Sequence, residues 1–414
     1  MVRLFLPLPI LLIAAMSLLA ADSWPKFRGP TADGHFNRSL PSRWSATENV
    51  TWKVSVPGKG WSSPVIVDNQ VFVTAAVPVE GAGSDLSLRL LTYDVREGRA
   101  VNDVEVFRQN SNDSPSIHTK NSHASPTPVI DGPRIYLHFG HQGTACLERS
   151  GNEVWKSRRL TYEPVHGNGG SPIVVGDALI FSCDGGEASY VVGVDKLTGE
   201  HLWRRDRDTD ATRTFSFSTP SAITSSGQHQ VISPGSNTVD ALNPATGDLI
   251  WRVRYDGYSV IPKPIFGHGL VFVCSGYDRP NLLAIRPDGH GDVTDTHIAW
   301  RTDRNVPHTA SLLLVGDELY MVSDRGIASC LDAATGRLHW RERLPGGYSA
   351  SPIYAGDKLY FLNEEGEATV IRRGTKYERV ASNSVGERTL ASFAAADDRL
   401  FIRGEEHLFC IKAP

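Results

Sequence analysis

The sequence is short of most features that announce a chemistry. Positive charge is not in excess: 42 Lys and Arg stand against 46 Asp and Glu, a formal net charge of −4. No basic cluster offsets this balance, which excludes a nucleic-acid partner. There is no Gly-x-Ser-x-Gly elbow for a hydrolytic serine and no Gly-rich phosphate loop between a strand and a helix. The cysteines are five, Cys146, Cys183, Cys274, Cys330 and Cys410, and no two have metal-ligand spacing. His118 and His123 stand five apart outside any helical pattern, so they do not form a helical zinc pair. No metal site and no catalytic residue is expected. Long apolar runs are confined to the first residues. Arg3 precedes an apolar stretch from Leu4 to Leu19, broken by Pro7 and Pro9, and Ser17, Ala20 and Ala21 offer small residues for cleavage. Residues 1–21 therefore read as an export signal. The stretch is too short and too interrupted for a membrane span, and no Cys follows it to take a lipid. The mature chain is expected in the periplasm or outside the cell, without a transmembrane anchor.

What the sequence has is a repeat. One phrase recurs about every forty-odd residues: a Ser-Pro or similar opening, a short apolar run, a Gly/Asp turn and a second apolar strand, as in Ser351-Pro352-Ile353-Tyr354-Ala355-Gly356-Asp357-Lys358-Leu359-Tyr360-Phe361-Leu362. A second half-phrase closes with Asp-x-x-Thr-Gly and places a Trp five residues after the Thr, as at Thr198/Trp203, Thr246/Trp251 and Thr335/Trp340, with Ser150/Trp155 as a variant. Short strands at such a period are the mark of a propeller. Eight openings align: Ser63-Pro64, Ser125-Pro126, Ser171-Pro172, Thr219-Pro220, Lys263-Pro264, Ala310-Ser311, Ser351-Pro352 and Ala391-Ser392. The fold class is all-β, an eight-bladed propeller of four-stranded antiparallel blades, with seven blades the weaker count.

The two ends explain each other. The eighth unit stops after its third strand, Leu408 to Lys412, while an orphan strand at Val50 to Val56 carries Trp52, the missing tryptophan. Pairing them closes the ring and leaves no unpaired seam. Residues 22–49 then form an N-terminal extension packing on the propeller, and 50–414 the propeller itself. Units one and seven lack the Trp, with Asn102-Asp103-Val104 and Glu378-Arg379-Val380 in its region. Unit five inserts residues 287–295, whose carboxylates miss the calcium-loop spacing and read as an extended hairpin loop. Equivalent cysteines on different blades stand far apart, so the five are expected to be unpaired, buried thiols.

These phrases closely resemble the repeats of the pyrroloquinoline quinone (PQQ) dehydrogenase-like propeller superfamily, over essentially the whole mature chain. Trp24-Pro25-Lys26-Phe27-Arg28-Gly29-Pro30 and Gly60-Trp61-Ser62-Ser63-Pro64-Val65 are similar to a bacterial group of exported PQQ-like repeat proteins. The resemblance implies one of two functions. Some members are quinone enzymes, and others are scaffolds such as the propeller of the outer-membrane β-barrel assembly machinery. The enzymes carry adjacent cysteines beside the quinone, and no Cys-Cys pair exists here. Their calcium and acid residues find no match in this chain. The scaffold is typically lipid-anchored through an N-terminal Cys, which is also missing.

Function is therefore sought in the loops that break the repeat. Those leading into each first strand supply Trp61, His118, Lys120, Asn121, His166, Asn168, Tyr258, Lys263, His308, Tyr348 and Arg388. Phe215 and Phe217 lie in the same series, and Tyr277 is in a loop between second and third strands. Simple turns need Gly, Asn, Asp and Ser, whereas His, Tyr, Trp and Lys converging at a channel mouth make a plausible pocket. The expectation is an exported monomeric binding or scaffold protein that takes a protein partner or small ligand on this face, without a cofactor. The alternative is a PQQ- and calcium-dependent alcohol or sugar dehydrogenase.

Overall fold

In the computed structural model, residues 23–113, 116–160 and 162–413 are described. Residues 1–21, expected to be an export signal, lie outside them. Eight four-stranded antiparallel sheets form the ring. Within each blade the first strand is innermost, so in blade one Val65–Val67, Gln70–Pro78, Leu86–Asp94 and Ala100–Gln109 run outward in order. The one α-helix among the described residues is the short Thr294–His297.

The closing pair forms as expected. Val50–Ser55 pairs antiparallel with His407–Lys412, with Trp52 opposite Cys410 and Val54 opposite Leu408. The last blade thus takes its outermost strand from the beginning of the chain.

The recurrent Trp and the Asp-x-x-Thr-Gly turn prove to be two halves of one joint between neighbouring blades. The indole N–H of Trp52 donates to Val95 O at 2.9 Å. Trp155 reaches Lys196 O, Trp203 reaches Pro244 O and Trp300 reaches Ala333 O, each on the following blade. These carbonyls belong to the residue after the turn's Asp or Asn. The turn is held rigid by that side chain, as where Asp195 Oδ1 accepts from the backbone of Leu197 and Thr198 at 2.8 Å. Its Gly then lies against the ring: a Cβ added to Gly199 would stand 2.6 Å from Trp155, and one added to Gly247 2.5 Å from Trp203. Both glycines have φ of +74°. Positive φ and the missing Cβ are required at the same place.

Departures from the repeat have local compensation. In blade four, Trp251 donates to Gln230 Oε1, and Gln230 Nε2 passes the link to Pro287 O of blade five. The insertion that begins at Pro287 does more than extend a hairpin: Gly291–Asp292 adds a parallel fifth strand to the outer edge of blade four. In blade one, Asn102 occupies the Trp position and donates to Ser150 O of blade two. In blade seven the position is Ala381, and the extension covers that region through Trp44 N and Ser42 O, both bonded to the Asn383 amide. All five cysteines are free and buried. Cys146, Cys330 and Cys410 lie opposite Trp155, Trp340 and Trp52.

Candidate functional site: a blind cup in the channel

The openings of the repeat form a belt around the channel. Each opening residue uses its backbone N–H to bond the side-chain hydroxyl of the next blade's opening residue. Ser63 N donates to Thr127 Oγ1, Thr127 N to Ser171 Oγ and Ser171 N to Thr219 Oγ1, at 2.9–3.0 Å. The belt resumes from Lys263 N to Ser311 Oγ and continues through Ser351 and Ser392 back to Ser63. It shows that blade two opens at Thr127-Pro128, with first strand Val129–Asp131, two residues later than repeat counting indicates. The tandem Ser125-Pro126-Thr127-Pro128 offers two registers, and the strand uses the second.

The belt has one break. Blade five carries Lys263 where the others carry Ser or Thr, so Thr219 N finds no hydroxyl there. The Lys263 side chain leaves the lumen and its Nζ donates to Ser221 Oγ. Burial, followed by the neighbouring charges of Arg28 and Lys26, lowers its pKa to about 7, against an opposing effect of Asp33.

Beneath the belt the N-terminal extension crosses the channel. Trp24 exchanges two backbone bonds with Ile66 of blade one, and Pro25 O accepts from Ile130 of blade two. On the far side, His35–Phe36 pairs parallel with the innermost strand of blade seven. Between them, the Arg28 guanidinium donates to the carbonyls of Pro352, Leu312 and Asp33. Phe27, half-buried, faces upward as the floor of a cavity of about 320 Å³. The channel is therefore a cup: belt hydroxyls for walls, Phe27 below, and a mouth among the lead-in loops.

The mouth has two unlike halves. Along one side, six rings touch in sequence, His118–His166–Phe215–Tyr258–Tyr277–His308, with centroids 4.3–6.3 Å apart. The other side is ionic. Lys120 Nζ meets Glu364 Oε1 at 2.6 Å, and Arg388 donates to Thr119 O at 3.0 Å while standing over the Trp61 ring. His308 Nδ1 is 2.9 Å from Asp324. The loop carrying His118 to Asn121 thus touches blade three on one side, where His118 N donates to His166 O, and blades seven and eight on the other.

Of the residues expected at this rim, Trp61, His118, Lys120, Asn121, His166 and Tyr258 line the cup. His308 and Arg388 stand behind that lining, stacked on Tyr277 and Trp61 respectively. Three are elsewhere. Asn168 is 6% exposed and packs on the bare Cα of Gly140, with Tyr162 donating to it at 2.8 Å. Tyr348 is 1% exposed within the core of blades six and seven. Lys263 is 4% exposed in the wall. Lead-in loops descend into the fold at these points, which residue type alone does not reveal. The belt hydroxyls escape a reading by residue type because Ser-Pro reads as strand punctuation, although its recurrence is visible.

Comparison with known proteins follows the fold. A family model described as outer membrane protein assembly factor BamB matches residues 43–185, 105–217, 187–310 and 292–377. No curated protein sequence matches the chain. Among solved structures, BamB from Moraxella catarrhalis is 13% identical over 88% of this chain and 97% of that one, with a TM-score of 0.61. The quinohemoprotein alcohol dehydrogenase ADHIIG from Pseudomonas putida HK5 is 10% identical over 94% of this chain and 80% of that one, at 0.63. The computationally designed protein Ika8 is 12% identical over 87% and 98%, at 0.59. At these identities the likeness is one of fold, and fold does not decide function.

Proposed function

The chain belongs to the outer membrane protein assembly factor BamB family, and from that premise we propose that it is an exported binding or scaffold protein working through the mouth of the cup. The supporting observation is the cup itself. A propeller needs only short turns at its blade openings, whereas here a blind cavity is rimmed by converging aromatic and ionic side chains. Trp61, His118, Lys120, Asn121, His166 and Tyr258 are the contacts offered to a small ligand or to a projecting group of a protein partner. Export rests on the segment 1–21, and N-terminal sequencing of the protein from its source tests it. Binding is tested by native mass spectrometry and partner capture of protein purified from that source. Ser349→Trp, at a half-buried lumen position outside the belt, fills the cup and should release whatever is bound. Retention of the same ligand and partners by that variant would sink the proposal.

The quinone enzyme reading finds less support in the residues present. Calcium takes six to eight oxygen ligands, and the described residues hold no group of three or more His, Cys, Asp and Glu suited to a metal. The carboxylates of PQQ call for available cations. Lys120, the ammonium that lines the cup, is engaged by Glu364.

A further inference from the structure

We infer that the cup takes an acidic saccharide, a hydroxylated ring carrying a carboxylate; this rests on reading the cup as a ligand site. Three features of the cavity select that class together.

The wall is made of alcohols. Belt residues such as Thr127, Ser171 and Ser351 each accept one backbone N–H. Each hydroxyl keeps an O–H to donate and a second lone pair to accept with. Groups that both donate and accept are matched by other alcohols. A ligand with only acceptors uses half of this capacity.

Aromatic rings stand above and below. Phe27 forms the floor, while Trp61 and Tyr258 stand at the mouth. Their faces carry negative potential, which suits the C–H faces of a saturated sugar ring.

The charge at the base is positive. No Asp or Glu lines the cup. Arg28 and Lys263, both buried, lie directly beneath and within its wall. Arg28 is bonded to carbonyls and its Nε has no partner. Lys263 is bonded to a serine hydroxyl. Asp33, the nearby carboxylate, turns its Oδ1 to Thr31 and to the backbone of His35, and meets Arg28 through its carbonyl. The buried Arg28 cation held by neutral oxygens, with Lys263 adding to it where protonated, leaves a positive potential that the low-dielectric protein wall transmits. A carboxylate on the ligand supplies the missing charge without needing to displace either side chain. A neutral sugar leaves the potential unanswered.

Isothermal titration of the mature chain with D-glucuronate, D-glucose and PQQ tests this. Glucuronate should bind at least about tenfold more tightly than glucose. Lys263→Ser supplies the hydroxyl the belt lacks, and a thermal melt verifies that it folds. In that variant the preference should shrink to within about twofold. Equal affinity for the two sugars, or a preference unchanged in Lys263→Ser, overturns the inference. Binding of PQQ with neither sugar bound overturns the saccharide and leaves the cup a ligand site. No binding by any probe, together with a wild-type ligand and partner content in Ser349→Trp, overturns both.

Discussion

The ring of Trp52 lies against the bare Cα of Gly98, where a Cβ would come within 2.6 Å of the indole. Trp52 precedes the first blade in sequence yet serves as the outer tryptophan of the last, and Gly98 belongs to the turn of blade one. The contact is thus the final seam of the ring, and it repeats the joint used between other blades.

That joint predicts a specific vulnerability. Gly199→Ala introduces a Cβ at φ +74° and 2.6 Å from Trp155. Strain and overpacking act together, so a loss of about 2–4 kcal/mol is expected in urea unfolding. Trp203→Ala and Trp340→Ala each remove a core ring and should cost about 3–5 kcal/mol. Unchanged stability in the alanine variants would mean that the joint carries little of the fold's energy.

Closure is testable by truncation. Removing residues 22–56 strips the partner from His407–Lys412 and exposes its hydrogen-bonding edge. It also removes the floor of the cup. Aggregation by size-exclusion chromatography is the expected result, and a soluble monomer would show that the ring does not depend on this strand.

Two buried titratable groups predict the same direction of response to pH in two separate windows. His138 is wedged against Phe181, accepts or donates a bond at 2.9 Å to Thr144 Oγ1, and has its pKa lowered to about 3 by burial and by His141. The unfolded chain takes up its proton near pH 6.5, before the folded one does, so stability falls as pH drops below that value. By pH 5 the loss should be about 2 kcal/mol, and His138→Gln should largely abolish it.

Lys263 acts in the same direction at higher pH. Its folded pKa of about 7 lies below the unfolded value, so the folded state binds fewer protons between roughly pH 7 and 10. Stability contributed at this site rises as pH increases through that window. At neutral pH, Lys263→Ser should therefore be more stable than the native chain, by on the order of 2–4 kcal/mol, with the difference vanishing near pH 10. Arg28, Lys26 and Asp33 are the charges that act on it. A native chain as stable as the variant at both pH values would contradict the burial argument.

The fold was legible because its determinants are local and repeated. The Trp, the Thr-Gly turn and the Pro-led first strand each recur at fixed spacing, and even the orphan Trp52 could be assigned by what the last unit lacked. The cup was legible only in part. Trp61, His118 and Tyr258 stood out as poor turn formers, but Asn168 and Tyr348 did so equally and are buried. Their fate depends on how steeply each loop descends between blades. Phe27 was beyond reach for another reason: its place beneath the belt is set by contacts with blades one, two, six and seven, far away in sequence.

The last prediction separates a binding protein from an oxidoreductase. Added PQQ and calcium should yield no dye-linked oxidation of alcohols or sugars. The reasoning is electrostatic. PQQ carries three carboxylates, and the ammonium that lines the cup, Lys120, would have to be drawn from Glu364 at 2.6 Å to pair with any of them. Calcium is held chiefly by clustered carboxylates, and the described residues bring together no group of three or more His, Cys, Asp and Glu suited to a metal. Glu364→Gln frees Lys120 and serves as the sensitised variant. Turnover in the native chain, lost in Lys120→Ala, would overturn the proposed function; turnover confined to Glu364→Gln would show that the ion pair alone keeps the quinone out.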